Sequence, residues 1–253
     1  MKILRQSQYE YLEEIYERFK RQALIFLGIG LGIGILGIVA GGGGGFIFGI
    51  LFLILAFERW KRGSNYIKGI EGEKAVIGAL GELDDSWILI NDIKLTKQHG
   101  NIDHILLSPK GIFLIETKNY GGSVRCYGDN WIILSKRRYY GKKRRFEIRS
   151  ASRQVKFQAS LLHGLLKRKL KLDIPITPVC VFTDPEVKLQ INKPSVKVLK
   201  LKDLVGWLQK TRLKSPLTEK EINLISQSIL EKSRELDTKS KANYLEIVPR
   251  EDF

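Results

Sequence analysis

A chain of 253 residues with 43 Lys and Arg against 27 Asp and Glu carries a net charge of +16, a balance suited to polyanionic partners such as nucleic acid or anionic lipid. Cys126 and Cys180 are its only cysteines, which excludes a disulfide framework and a cysteine-ligated zinc site and makes a reducing compartment the default. His99, His104 and His163 likewise lack metal-ligand spacing.

The N-terminal segment, residues 1–22, contains a mixed apolar and charged pattern from Gln6 to Gln22, which predicts an amphipathic helix at a membrane surface. Residues 23–57 follow, 35 positions without a charge. One straight helix of that length would be roughly 50 Å long against a hydrocarbon core of about 30 Å, so two short spans fit better than one. Gly41 to Gly45 divides them at about 23–40 and 41–57. Lys20 and Arg21 before the stretch, and Arg59, Lys61 and Arg62 after it, place both ends on the cytoplasmic side of the cell membrane. The glycines at 28, 30, 32, 34 and 37 offer a face for close helix packing or self-association of the hairpin into a homo-oligomer. The five-glycine run lacks a following Lys-Ser or Lys-Thr, so it reads as a membrane turn and not a phosphate-binding loop.

Residues 58–67 read as a linker, and 68–213 as one compact domain. Within it, Ile70 to Leu83 predicts a helix with Ala75, Val76, Ala79 and Leu80 on one side and Glu73 near its start. Trp87–Ile90 predicts a strand. A hairpin from Asn101 to Lys118 and a strand at Trp131–Leu134 come next. Lys136, Arg137, Arg138, Lys142, Lys143, Arg144, Arg145 and Arg149 then crowd into a loop-like stretch with Tyr139, Tyr140 and Phe146 among them. Cations interleaved with aromatics suit a phosphate backbone and unstacked bases, and they suit lipid headgroups as well. Ser152 to Leu170 predicts a helix with Val155, Ala159, Leu162 and Leu166 as its core stripe, and Val179 to Phe182 a buried strand. In residues 214–253, Thr218 and Glu221 form a capping box that starts a helix running towards Arg234, and beyond Leu236 a polar composition predicts a mobile tail.

The hairpin carries the chemistry. Ser108-Pro109-Lys110-Gly111 supplies a turn with Pro at its second position and Gly at its fourth, so Leu107 faces Ile112. Counting back places Asp103 across from Glu116, and the two-residue period puts Glu116 and Lys118 on one face. Facing carboxylates repel and call for a cation, and Mg²⁺ or Mn²⁺ would take these oxygens together with water and phosphate. Lys118 would then orient the nucleophile or stabilise developing charge. His104, on the opposite strand face, reads as structural.

Gly69-Ile70-Glu71-Gly72-Glu73, Asn101-Ile102-Asp103-His104, Gly111 through Tyr120 with Gly122, Gln154, and Pro178 through Thr183 occur in an order and spacing that resembles a nuclease-related (NERD) domain, a branch of the PD-(D/E)xK nuclease-like superfamily. The resemblance covers about Lys68 to Asp184. It implies an α/β, restriction-endonuclease-like fold, a mixed central sheet flanked by helices, here preceded by a transmembrane helical hairpin. It also implies that Asp103, Glu116 and Lys118 are the catalytic core, that Glu73 completes the acidic site, that Gln154 lies close to it, and that the Thr117 carbonyl is a further metal ligand beside Asp103, Glu116 and Glu73. One departure stands out: the family often has Asn-Pro three residues before its Gln, where this chain has Ser150-Ala151-Ser152-Arg153-Gln154. The expectation is a membrane-anchored, metal-dependent nuclease hydrolysing DNA or RNA, with Lys136, Arg137, Arg138, Lys142, Lys143, Arg144 and Arg145 on the nucleic acid. The alternative is a catalytically silent, membrane-anchored nucleic-acid-binding or scaffold module.

Overall fold

The computed structural model describes residues 1–5, 9–41, 43–98, 100–139, 142–212 and 215–247, with backbone alone at 10–11, 43, 135–139, 142–144 and 238–247. His99 and Tyr140 lie outside the described residues. The chain divides into two compact units: Met1–Ser7 with Gly72–Phe253, and Gln8–Glu71.

The first unit is built on a six-stranded mixed sheet ordered β1 (Lys2–Arg5), β2 (Ile88–Ile93), β3 (Ile102–Ser108), β4 (Gly111–Lys118), β8 (Ile176–Phe182) and β10 (Lys197–Lys200). β2, β3 and β4 run antiparallel in succession, while β1 on β2, β8 on β4 and β10 on β8 are parallel. The central strands are buried on both faces, which accounts for their continuous apolar runs. Leu89, Leu106, Phe113, Ile115 and Val181 pack with Val76 and Leu80 of α2 (Gly43–Leu80) and with Leu204 and Leu208 of α4 (Leu201–Lys210). On the other face Ile90, Ile105, Leu107, Ile112 and Leu114 meet Val155, Leu162 and Leu166 of α3 (Ala151–Leu170) and Ile222, Ile225 and Ile229 of α5 (Glu219–Ile247).

A second sheet, ordered β7 (Lys142–Ile148), β6 (Asn130–Tyr139), β5 (Ser123–Tyr127) and β9 (Lys188–Asn192), shares this second core through Val124, Cys126 and Trp131. Trp131 stacks on Phe182 and donates from Nε1 to Ser152 Oγ at 2.9 Å, joining the small sheet to β8 and α3. The stretch read as a basic loop is therefore a β-hairpin, with Arg138 opposite Lys143 and Tyr139 opposite Lys142. The ladder hydrogen bonds hold this pairing although Arg138 and Lys143 are like charges placed opposite one another. Of its cluster, the side chains of Lys136, Arg137, Arg138, Lys142, Lys143 and Arg144 lie outside the described residues, and Arg145 is exposed.

Three readings of domain limits change. Lys2–Arg5 is an edge strand of the main sheet, and Arg5 is tied to α5 by hydrogen bonds from Nη1 to Ser233 Oγ at 2.9 Å and to Asp237 Oδ2 at 3.2 Å. Residues 58–67 are helical, part of α2, because Glu58 to Lys68 contains no proline to stop a helix entering from Phe57 and its one glycine, Gly63, is tolerable within one. The predicted C-terminal helix is real, with Thr218 Oγ1 accepting from Glu221 N at 3.3 Å and Glu221 Oε2 accepting from Thr218 N at 2.8 Å, but it continues to Ile247 and buries Ile222, Ile225 and Ile229 in the common core.

The second unit contains α1 (Glu10–Val39) and the first part of α2, joined through residues 40–42. Gly37 and Gly45 bring the two backbones into contact, since a Cβ on Gly45 would stand 2.7 Å from the Gly37 Cα, and Gly49 meets Gly30 and Gly34 in the same way. Phe26 and Phe52 pack at 6.0 Å between ring centroids. Small residues at the crossing are how helices associate where no water drives them together. The helix predicted to lie apart over Gln6 to Gln22 is continuous with the apolar run from Glu10 onward. One segment among the described residues, Leu12–Val39, is long and apolar enough to cross a membrane. Gly28 and Gly32 have open space where a Cβ would stand.

Candidate active site

The register of the central hairpin is the one its turn dictates: Leu107 opposite Ile112 and His104 opposite Ile115. Pairing stops there, one residue short of Asp103 and Glu116. Beyond that point Thr117 N–H is met by the Asp103 carboxylate, whose Oδ2 accepts at 2.7 Å, so a side chain supplies the acceptor that a continuing β3 would have given. The strand ends open here, and the acids sit in the opening.

Glu116 is 1% exposed. Its Oε1 accepts from Lys118 Nζ, while its Oε2 is buried with no donor at close hydrogen-bond geometry and the Gln158 amide near enough to lower the carboxyl. Lys118 also reaches Gln154 Oε1 of α3 at 3.5 Å. Asp103, Glu116, Lys118 and Gln154 are thus brought into one site. Glu73 arrives from α2, held close by Gly72, where a Cβ would lie 3.0 Å from Asn119 Cβ, 3.0 Å from Thr183 Oγ1 and 3.3 Å from Thr117 Cγ2. That closeness explains the glycine in the Gly69 to Glu73 motif.

The electrostatics are those of crowded carboxylates in a dry place. Burial, then repulsion from Glu116 and Glu73, holds the Asp103 carboxyl well above the usual range. Burial raises Glu116 against the pull of Lys118 and, more weakly, of Arg149 and the Gln158 side chain. Glu73 is pushed up to about 7 by burial and by Asp92 and Glu116. For Lys118 burial acts downward, but Glu116 and Asp103 outweigh it and the ammonium is held charged. Among the described residues, no three His, Cys, Asp or Glu side chains converge closely enough to hold a metal ion by themselves, so Glu73 stands within electrostatic range of the other acids without joining them at one point.

Asp92 is a residue that sequence reading missed. It lies within β2 at φ 54, where the pairing passes from Asn91–His104 to Ile93–Ile102, and its charge acts on Glu73. Asn-Asp inside an apolar strand was the available signal, since Asp tolerates the left-handed region better than most residues. On the opposite sheet face His104 is fully buried between Asn91 Oδ1 at 2.8 Å and Thr117 Oγ1 at 3.1 Å, and burial lowers its pKa to about 3. It is a neutral framing residue that fixes Thr117 from behind the acids.

Residues 68–183 match the nuclease-related domain. Asp103, Glu116, Lys118, Glu73 and Gln154 all fall inside that span. An uncharacterized protein of Bacillus anthracis is 33% identical to this chain over 84 residues, which is 32% of this chain and 39% of that protein. The chain therefore spans about two-fifths of the length of that curated relative. No solved structure matches the chain.

Proposed function

We propose that the nuclease-related domain is a metal-dependent phosphodiesterase acting on DNA or RNA, anchored to the cytoplasmic face of the cell membrane by two helical spans. The observation that carries the reading is the opening at the ends of β3 and β4, where Asp103, Glu116 and Lys118 meet around an unsatisfied carboxylate oxygen.

The donor set fits a hard cation. It consists of oxygens, its carboxylates repel one another when charged, and Glu116 Oε2 has no close donor. Thr117 N–H points into the opening, and in a strand the carbonyl of the same residue projects to the same side, so the Thr117 carbonyl would be a third donor. Asp103, Glu116 and Thr117 would hold Mg²⁺ or Mn²⁺, which take few protein ligands and keep several waters. When bound, such an ion polarises a phosphoryl oxygen and lowers the pKa of water. Lys118, pinned by Glu116 and Gln154, would hold its ammonium against the phosphate and stabilise charge developing there. Glu73, raised to about 7, would accept a hydrogen bond from water at the rim, an outer role and not that of a direct ligand. The basic hairpin from Lys136 to Arg145 would hold the rest of the polyanion.

Connectivity supports the anchoring. The chain leaves the first unit after Ser7 and returns to it at Gly72, so both ends of the apolar pair start from the same side of any bilayer it enters. A crossing by Leu12–Val39 then requires a second by α2, whose apolar part ends at Phe57. The basic flanks favour the cytoplasm as that side.

The test is cleavage of labelled single- and double-stranded DNA and RNA with Mg²⁺, Mn²⁺ or EDTA, beside Asp103→Ala and Glu116→Ala. Metal-dependent cutting lost in both variants is expected. Binding without cutting in every condition would replace this reading with that of an anchored binding module.

A further inference from the structure

A cleft of about 410 Å³ opens beside the acids, lined by Gly100, Arg149, Ser150, Arg153, Gln154, Phe157 and Gln158. It lies at the start of α3, and its side chains recur at helical spacing: Arg153 and Gln154 on one turn, Phe157 and Gln158 on the next. Gln154 is the same side chain that meets Lys118, so the cleft leads to the proposed reaction centre.

Each wall offers a different chemistry. Arg149 is exposed, has no ion pair or hydrogen bond among the described residues, and stands near enough for its charge to act on Glu116. The first turn of α3 carries no acidic side chain and is capped by Ser150 Oγ, which accepts from Arg153 N at 3.2 Å, so the positive end of the helix faces no negative charge of its own. Phe157 leaves 42% of its surface in solvent. Gln158 is 4% exposed; its Nε2 donates to Asn101 O at 3.0 Å, while its Oε1 is buried with no donor. A buried acceptor without a partner, beside a cation and an aromatic face, describes a ligand with an anionic group, a flat ring and a hydrogen-bond donor.

Resting on the nuclease reading above, we propose that this cleft takes one unpaired nucleotide, making the substrate single-stranded nucleic acid. Arg149 and the α3 N-terminus hold its phosphate, Phe157 stacks on its base, and Gln158 Oε1 accepts from a base amino group or a sugar hydroxyl. A space of about 410 Å³ suits one nucleotide, whereas a duplex is wider than its own major groove of about 12 Å, so an intact double helix does not enter.

The experiment uses the full chain in detergent micelles, with EDTA present so that no cutting occurs. Binding of a fluorescein-labelled single strand is compared with the same strand annealed to its complement, across a salt series, for the wild type, Phe157→Ala, Phe157→Trp and Arg149→Ala. Single-strand preference is expected, falling about tenfold in Phe157→Ala. Phe157→Trp should retain it, with indole fluorescence quenched by single strand beyond the wild-type signal. Arg149→Ala should weaken binding and lower the salt slope by about one. Equal affinity for duplex and single strand, or a Phe157→Trp signal that duplex quenches equally, overturns the assignment. Adding Mg²⁺ or Mn²⁺ separates the two readings. Strand preference without cleavage keeps the nucleotide cleft and removes the nuclease, whereas cleavage with wild-type strand preference in Phe157→Ala and Arg149→Ala keeps the nuclease and removes the cleft.

Discussion

Asp103 has two tasks that a single substitution separates. Its Oδ2 accepts from Thr117 N–H, which an amide oxygen does equally well, while its charge adds to the repulsion among buried carboxylates. Asp103→Asn is therefore expected to abolish metal-dependent cleavage and, in EDTA, to leave the thermal midpoint unchanged or raised, because a buried charge is removed without orphaning its partner. A midpoint lowered by several degrees would mean that the carboxylate is needed for the fold. Glu73 gives the pH counterpart. Its pKa is 4.5 unfolded and about 7 folded, so between those values the folded chain holds a proton the unfolded chain lacks, and this group's contribution to stability is lost as pH rises through that window. His104 acts in the opposite sense: at about 3 folded against 6.5 unfolded, it costs stability as pH falls. The two overlap, so the readout is a difference. In EDTA, the midpoint of Glu73→Gln relative to wild type should rise as pH goes from about 5 to about 8, and a difference flat with pH would show that Glu73 is not in the crowded environment described.

At the scale of elements, the close approach of α2 to the end of β4 is the contact on which Glu73 depends. Glycine inside a helix costs about 1 kcal/mol relative to alanine, so on propensity alone Gly72→Ala should stabilise. Against that, a Cβ would stand 3.0 Å from both Asn119 Cβ and Thr183 Oγ1, and the Asn119 atom is fixed to backbone and cannot swing aside. The clash should win, with a net loss of about 1–2 kcal/mol in chemical denaturation and reduced cleavage; a gain in stability would show that α2 can withdraw from the strand end freely. What was legible in the sequence follows the same distinction between local and distant causes. The β3–β4 hairpin could be read because Ser108-Pro109-Lys110-Gly111 fixes the register within a few residues, and two-residue periodicity then faces Glu116 and Lys118 together. The stripe of Val155, Leu162 and Leu166 could be read for the same reason. β1 could not: Lys2-Ile3-Leu4-Arg5 has no pattern of its own, and its partner is Ile88 and its neighbours, far along the chain. Nor could Asp92, whose left-handed backbone looks in sequence like a polar interruption, or the docking of α5, which only the completed sheet provides with a surface.

For the whole molecule the strand order of the main sheet would constrain the proposed membrane arrangement. β1 precedes the apolar pair in sequence and lies beside β2, which follows it, so any bilayer crossing must be undone before β2 begins. The two helices are tied close at Gly37 and Gly45, near the turn, and their aromatic residues meet at the other end, where Phe19 stacks on Tyr66 at 5.9 Å. Such a pair would enter and return as one rod. Both native cysteines are buried, so single exposed cysteines can report sidedness in sealed vesicles with a membrane-impermeant maleimide. Glu14→Cys, on α1 before the apolar run, and Asn65→Cys, on α2 after it, are both exposed and should label together, from the face that carries the nuclease-related domain. Gly44→Cys, near the turn, should not label from that face. Labelling of Glu14→Cys and Asn65→Cys from opposite faces would require a single crossing, and a single crossing would have to pull Lys2–Arg5 out of its place beside Ile88, leaving Ser233 and Asp237 without Arg5.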